Sequence, residues 1–141
     1  MPHKFLENVS LADLAFEAEE DGLADFFKEC ATALFGVMAN TETIKPVTEK
    51  RIEMEDVKVD SLLHKFLEEI VYLKDAEQLV FCECDVRVSG YALMKLNATL
   101  RGEKIDRKRH ELHNDVKAVT WNDFKVTKQG NHYKVKVVLD I

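Results

Sequence analysis

LVFCECDVRVSGYALMKLNATLR, residues 79–101, decides the architecture of this chain. Apolar and polar residues alternate on both sides of Ser89-Gly90. Before the turn, Cys82, Cys84, Val86 and Val88 share one face, with Glu83, Asp85 and Arg87 opposite. After it, Ala92, Met94, Leu96, Ala98 and Leu100 alternate with Lys95, Asn97, Thr99 and Arg101. Successive side chains of a strand point to opposite faces, so this is an antiparallel hairpin with one face on a core and the other in water. Cys82 and Cys84 fall on the apolar face and are expected to be buried thiols rather than half of a zinc site.

Towards the N-terminus the period changes. Lys4 to Asn8 reads as a short strand. Asp13 to Glu19 reads as a longer one, with Leu14, Phe16 and Ala18 on one face and Asp13, Ala15, Glu17 and Glu19 on the other. Asp21-Gly22 ends it. From Leu23 to Ala39 the apolar residues Leu23, Phe26, Phe27, Cys30, Leu34, Val37 and Met38 recur at helical spacing. A linker over 40–46 leads to a strand around 50–57, with Ile52 and Met54 inward and Glu53 and Glu55 outward. Asp60 or Ser61 is expected to cap a second helix. Its stripe is Leu62, Leu63, Phe66, Leu67, Ile70, Val71 and Leu73, leaving His64, Lys65, Glu68 and Glu69 on the solvent side.

Towards the C-terminus lies DRKRHELHNDVKAVTWNDF, residues 106–124. Its Val116 to Trp121 portion alternates as a strand, placing Lys117, Val119 and Trp121 opposite Val116, Ala118 and Thr120. A turn over 128–131 precedes a last strand whose apolar face is Tyr133, Val135, Val137, Leu139 and Ile141. Two helices and six or seven mostly antiparallel strands make an α+β domain spanning 1–141, with the helices on the sheet's apolar face.

With 46% hydrophobic and 33% charged residues the chain is ordinary for a folded domain, and a net charge of −6 argues against a free-standing nucleic-acid binder. The first residues carry no apolar run of signal-peptide length, and no segment approaches a membrane span, which points to the cytoplasm and to reduced thiols. His110-Glu111-Leu112-His113 sets its histidines three apart, not the four that a zinc-binding helix needs, so solvated loop histidines are expected. Arg101, Lys104, Arg107, Lys108 and Arg109 form a basic cluster that suits phosphates, an acidic partner or plain solvation. Asp13 and Asp140 both fall on polar faces. If their strands are neighbours, two carboxylates converge beside the carboxylate of Ile141, an all-oxygen set suited to calcium, magnesium or manganese. No nucleophile–base pair, phosphate loop or dinucleotide turn is present, which disfavours an enzyme.

The chain resembles the archease family over nearly its whole length. The likeness is carried by His110-Glu111, by Asp115 to Phe124 (DVKAVTWNDF), and by the final Leu139-Asp140-Ile141, supported by Ala31 to Met38, Leu62 to Leu73 and Gln78 to Phe81. The family's N-terminal pattern, an acidic residue followed by His-Thr-Ala-Asp, is altered here to Glu7-Asn8-Val9-Ser10-Leu11-Ala12-Asp13 and is one residue longer. The resemblance implies a non-enzymatic activator of the GTP- and manganese-dependent RNA ligase of tRNA splicing, meeting tRNA only through that ligase and acting as a monomer. It implies that Asp13, Asp140 and the Ile141 carboxylate ligate a divalent cation and that Lys117 is the functional lysine. His110 and Trp121 stand beside Lys117 as candidate partner residues. Other classes consistent with the sequence are a chaperone or binding module for RNA-modifying enzymes, and a metal-dependent hydrolase using His110 and His113.

Overall fold

The expected hairpin supplies two of the three strands of one of two sheets, its second strand in the middle. The computed structural model describes residues 2–6 and 13–141. β1 (His3–Leu6) and β2 (Asp13–Asp21) precede α1 (Leu23–Met38) and a 3-10 turn at Thr41–Thr43. β3 (Thr48–Asp56), α2 (Val59–Glu77), β4 (Leu79–Ser89) and β5 (Met94–Lys104) follow. β6 (Ala118–Val119), β7 (Thr127–Gln129) and β8 (His132–Asp140) complete the chain. The expected strand over 4–8 begins one residue earlier as β1, and Glu7 and Asn8 lie outside the described residues.

Every strand pairing is antiparallel, but among the described residues eight strands divide into two sheets rather than forming one. One sheet has the order β1-β2-β8-β6, with β7 also on β8; the other is β3-β5-β4. α1 touches both β2 and β4, and α2 touches both β3 and β6, so the helices lie against both sheets. This is why α1 buries Ala31, Ala33 and Phe35 in addition to its expected stripe. A single main cluster, from Phe16 through Phe66 to Leu139, draws on both helices and both sheets.

The β4–β5 register corrects the reading of the cysteines. Phe81 pairs with Gly102 and Glu83 with Arg101, so Cys82 is an extra residue in a β-bulge. The bulge reverses the alternation on its N-terminal side: Phe81 and Cys84 join the main core, while Cys82 turns the other way. There it packs at the edge of a second cluster formed by Ala39, Ile44 and Val80, its thiol 3.5 Å from the Arg101 carbonyl. Cys84 is buried as expected; Cys82 is half-buried and does not share its face. Glycine is required opposite the bulge, because a Cβ on Gly102 would lie 1.9 Å from the Val80 carbonyl oxygen. Ala92 also falls outside the hairpin strand, which starts at Met94.

Neither Asp60 nor Ser61 caps α2. Lys58 occupies the cap position without a side-chain bond, and Asp60 sits in the first turn, where a carboxylate suits the positive end of the helix. Among the described residues no helix is long and apolar enough to cross a membrane.

A candidate cation and partner site at the end of β8

β8 alternates as expected up to Val137, while Val138 is buried as well on the opposite face. Tyr133, Val135, Val137 and Leu139 enter the core, and Asp140 takes the opposite face at the strand's last position. β2 lies beside it in a register that sets Asp13 directly opposite Asp140. Cross-strand neighbours in an antiparallel pair have Cβ atoms about 4.5–5.5 Å apart, and like charges placed so are destabilising. Both residues are half-buried. The next residue, Ile141, packs partly against the main core.

The other edge of β8 receives β6, where Ala118 pairs with Asp140 and Val119 with Leu139. The Lys117 amide donates to the Asp140 carbonyl at 2.8 Å, and the Thr120 amide to that of Val138 at 2.9 Å. Lys117 is exposed. Asp13, more than a hundred residues from the other two in sequence, thus lies opposite Asp140, and the Lys117 amide, just before β6, meets the Asp140 carbonyl from the other edge of β8. Among the described residues no three His, Cys, Asp or Glu side chains gather as a metal-holding group. The β2–β8 register brings together two carboxylates, oxygen donors of the type that hard divalent cations take.

The predicted strand over 116–121 shrinks to two residues. Val116 and Val119, three apart, are both buried, so the alternation does not run through the segment. What interrupts it is α2. His64, expected in solvent, is buried: its Nε2–H donates to the Val119 carbonyl at 2.8 Å, and its ring stacks on Trp121 with centroids 3.7 Å apart and planes 8° from parallel. Phe124 stands edge-on to both rings. Glu68 accepts from the Val119 amide at 3.3 Å, and Lys74, also buried, donates to the Val116 carbonyl at 2.6 Å and to Asp115 at 2.5 Å. Trp121 thus leaves the sheet, covers His64, and keeps 59% of its surface exposed.

The family model that matches residues 4–141 is described as the Archease protein family. The chain belongs to the archease family. The archease of Pyrococcus abyssi is 36% identical over 135 residues, covering 92% of this chain and 93% of that one. The Methanopyrus kandleri archease is 32% identical over 142 residues, covering 100% of both. The solution structure of Methanobacterium thermoautotrophicum protein 1598 superposes with a TM-score of 0.81 at 28% identity, over 99% of each chain. A crystal structure of a Thermotoga maritima archease, described as a possible chaperone, shares the fold with a TM-score of 0.63 at 17% identity, covering 96% of this chain and 97% of that one.

In this archease fold His110 is not a solvated loop residue. Its side chain has no exposed surface. Nδ1 accepts from the Asp106 amide at 2.9 Å, which leaves Nε2–H to donate to Glu103 at 2.8 Å. Placed so, His110 holds its loop from within and has no surface to offer a partner. His113 is exposed as expected, paired with Glu111 at 3.0 Å, which raises its pKa, as does its bond to the Gly36 carbonyl. The basic cluster is divided by carboxylates. Arg101 is held by Asp85 at 2.8 Å and Glu49 at 3.1 Å, and Arg109 is held by Glu103, leaving Lys104 exposed at the end of β5 and Arg107 and Lys108 exposed on the loop.

Sequence reasoning missed His64, Glu68 and Lys74 as supports of the Lys117 segment. Lys74 held a usable signal: it adjoins the Ile70, Val71 and Leu73 stripe, and a lysine is rarely buried without partners. His64 and Glu68 held none, because their partners lie 55 and 51 residues away.

Proposed function

We propose that this chain activates a GTP- and manganese-dependent RNA ligase of tRNA splicing, promoting guanylate transfer onto the ligase histidine and repeated turnover, with no catalytic step of its own. Membership of the archease family supports the reading, and the observation that carries it is the placing of Asp13 opposite Asp140, whose carbonyl bonds to the amide of exposed Lys117. Asp13, Asp140 and the Ile141 carboxylate would hold calcium, manganese or magnesium, and a cation bound there supplies positive charge for phosphate oxygens. Lys117 presents an ammonium beside it. Charge that develops on a transferring phosphoryl group is stabilised by fixed cations of this kind. The protein works as a monomer in the cytoplasm and meets tRNA only through the ligase. The deciding assay measures the covalent ligase–guanylate adduct with GTP, with and without this protein. Wild type should accelerate adduct formation and multiple-turnover joining. Lys117→Ala should lose that effect while its stability stays within about 0.5 kcal/mol of wild type, as exposed substitutions do. Equal adduct formation with and without the protein would refute the reading.

A chaperone role is the second reading, favoured by the description of the Thermotoga maritima relative as a possible chaperone. It predicts protection of unrelated heat-denatured proteins from aggregation, which the activator reading does not.

A further inference from the structure

The segment that carries Lys117 has little sheet to hold it. β6 is two residues long, and loop lies on either side of it. Two amides, Lys117 and Thr120, bond to β8 along one edge. On its other side the backbone is held by side chains of α2: Lys74 at the Val116 carbonyl, Glu68 at the Val119 amide and His64 at the Val119 carbonyl. A strand on that edge would satisfy these groups in an ordinary sheet; here a helix does so. Lys74 stands out among the three. It is only 7% exposed, and its ammonium is shared among the Val116 carbonyl, Asp115 and Asp75. Its bond to the Val116 carbonyl grips the peptide group whose amide belongs to Lys117, and that amide in turn bonds to Asp140.

We infer that Lys74 is a positioning residue for Lys117, acting with Glu68 and His64 as a polar clamp that sets where the Lys117 ammonium stands relative to Asp140. The clamp fixes both faces of a single peptide group, one by α2 and one by β8. Without it, Lys117 would sit on a loop free to pivot about the β6 pairs. The consequence for a ligase rests on the activator reading; the consequence for the position of Lys117 does not.

Lys74→Met keeps the aliphatic stem packed and removes the donors. Hydrogen exchange at the Lys117 amide should then quicken by about 10- to 100-fold, the range set by one lost charge-assisted bond, while amides of the β4–β5 pair keep wild-type rates. Glu68→Ala, at a half-buried position, tests the same clamp at Val119 if Lys74→Met does not fold. In the ligase assay Lys117→Ala should cost much of the activation in the wild-type background and little more in the Lys74→Met background. A purely structural lysine would instead give additive losses and no selective change at Lys117. Unchanged exchange at residues 117–119 in the folded variants overturns the inference. A wild-type protein that fails to stimulate the ligase overturns the activator reading and leaves the exchange result standing.

Discussion

Replacing Glu103 by glutamine should destabilise the fold by about 2–3 kcal/mol at neutral pH, and the deficit should shrink as pH falls. Glu103 lies near the end of β5, and its side chain is 10% exposed. Oε1 accepts from the Lys45 amide at 2.8 Å, from Arg109 at 2.8 Å and from His110 at 2.8 Å; Oε2 accepts from Arg109 at 2.6 Å. These bonds tie the linker after α1 and the loop after β5 to one carboxylate. The Arg109 guanidinium first, then His110 and the Lys45 amide, hold its pKa far below the usual 4.5. Hydrogen bonds to a charged group contribute about 1.5–3 kcal/mol each, and breaking a buried pair costs about 3–5 kcal/mol. Glutamine keeps one acceptor oxygen but turns an amide donor towards a guanidinium or imidazole donor. Arg109 is 40% exposed and can rehydrate, which moves the expected loss to the lower part of that range. At about 3 °C per kcal/mol for a chain of this length, the melting temperature should fall by about 6–9 °C.

The sign of the pH effect follows from the direction of the shift. A depressed folded-state pKa stabilises the fold at every pH above the usual 4.5, and that contribution is lost progressively as pH falls below it. Denaturant melts of wild type and Glu103→Gln between pH 7 and pH 3 should therefore draw together towards the acid end, where Glu103 of the unfolded chain takes up a proton while the folded carboxylate stays ionised. A difference under about 1 kcal/mol at pH 7, or one that stays constant to pH 3, would refute the assignment of Glu103 as the anchor of these loops.

Further outcomes are expected for the thiols and for the proposed cation site. Burial pushes the Cys84 thiol up to about 12 and the Cys30 thiol well above its usual value; it raises Cys82 as well, but Cys82 alone of the three is only half-buried, so an alkylating reagent at mildly alkaline pH followed by peptide mass mapping should label it first. Cys84→Ser should correspondingly cost about 1–3 kcal/mol if its hydroxyl finds no partner, and Cys82→Ser less. For the proposed cation site, calorimetric titration of calcium and manganese should show weakened binding in Asp13→Asn and Asp140→Ala. A form extended by a few residues beyond Ile141 should be weakened equally, and native-like affinity in that form would remove the Ile141 carboxylate from the ligand set.

The period of the sequence was enough for the elements whose burial depends on their own pattern. Both helices, the β4–β5 hairpin beyond its bulge and β8 take their main core face from local spacing, and each forms close to where that spacing places it. It also placed Asp13 and Asp140 on polar faces, one at a strand's start and the other at a strand's end. The β2–β8 register, which only the tertiary structure decides, makes them neighbours. Tertiary structure also overruled local pattern wherever a distant partner supplied the energy. His64 lies on what its own helix marks as the solvent side and is buried because Trp121 folds over it. Val116 to Trp121 alternates like a strand, yet α2 side chains satisfy the backbone that a neighbouring strand would have taken. Cys82 shares a period with Cys84 but not a face, because the bulge opposite Gly102 adds one residue. His110 reads as a polar loop residue and is buried because Glu103 offers it a charged acceptor out of water. In each case the deciding contact joins residues whose pairing leaves no trace in local periodicity, since a hydrogen bond or a ring stack needs two groups in space and the sequence pattern records only one of them at a time.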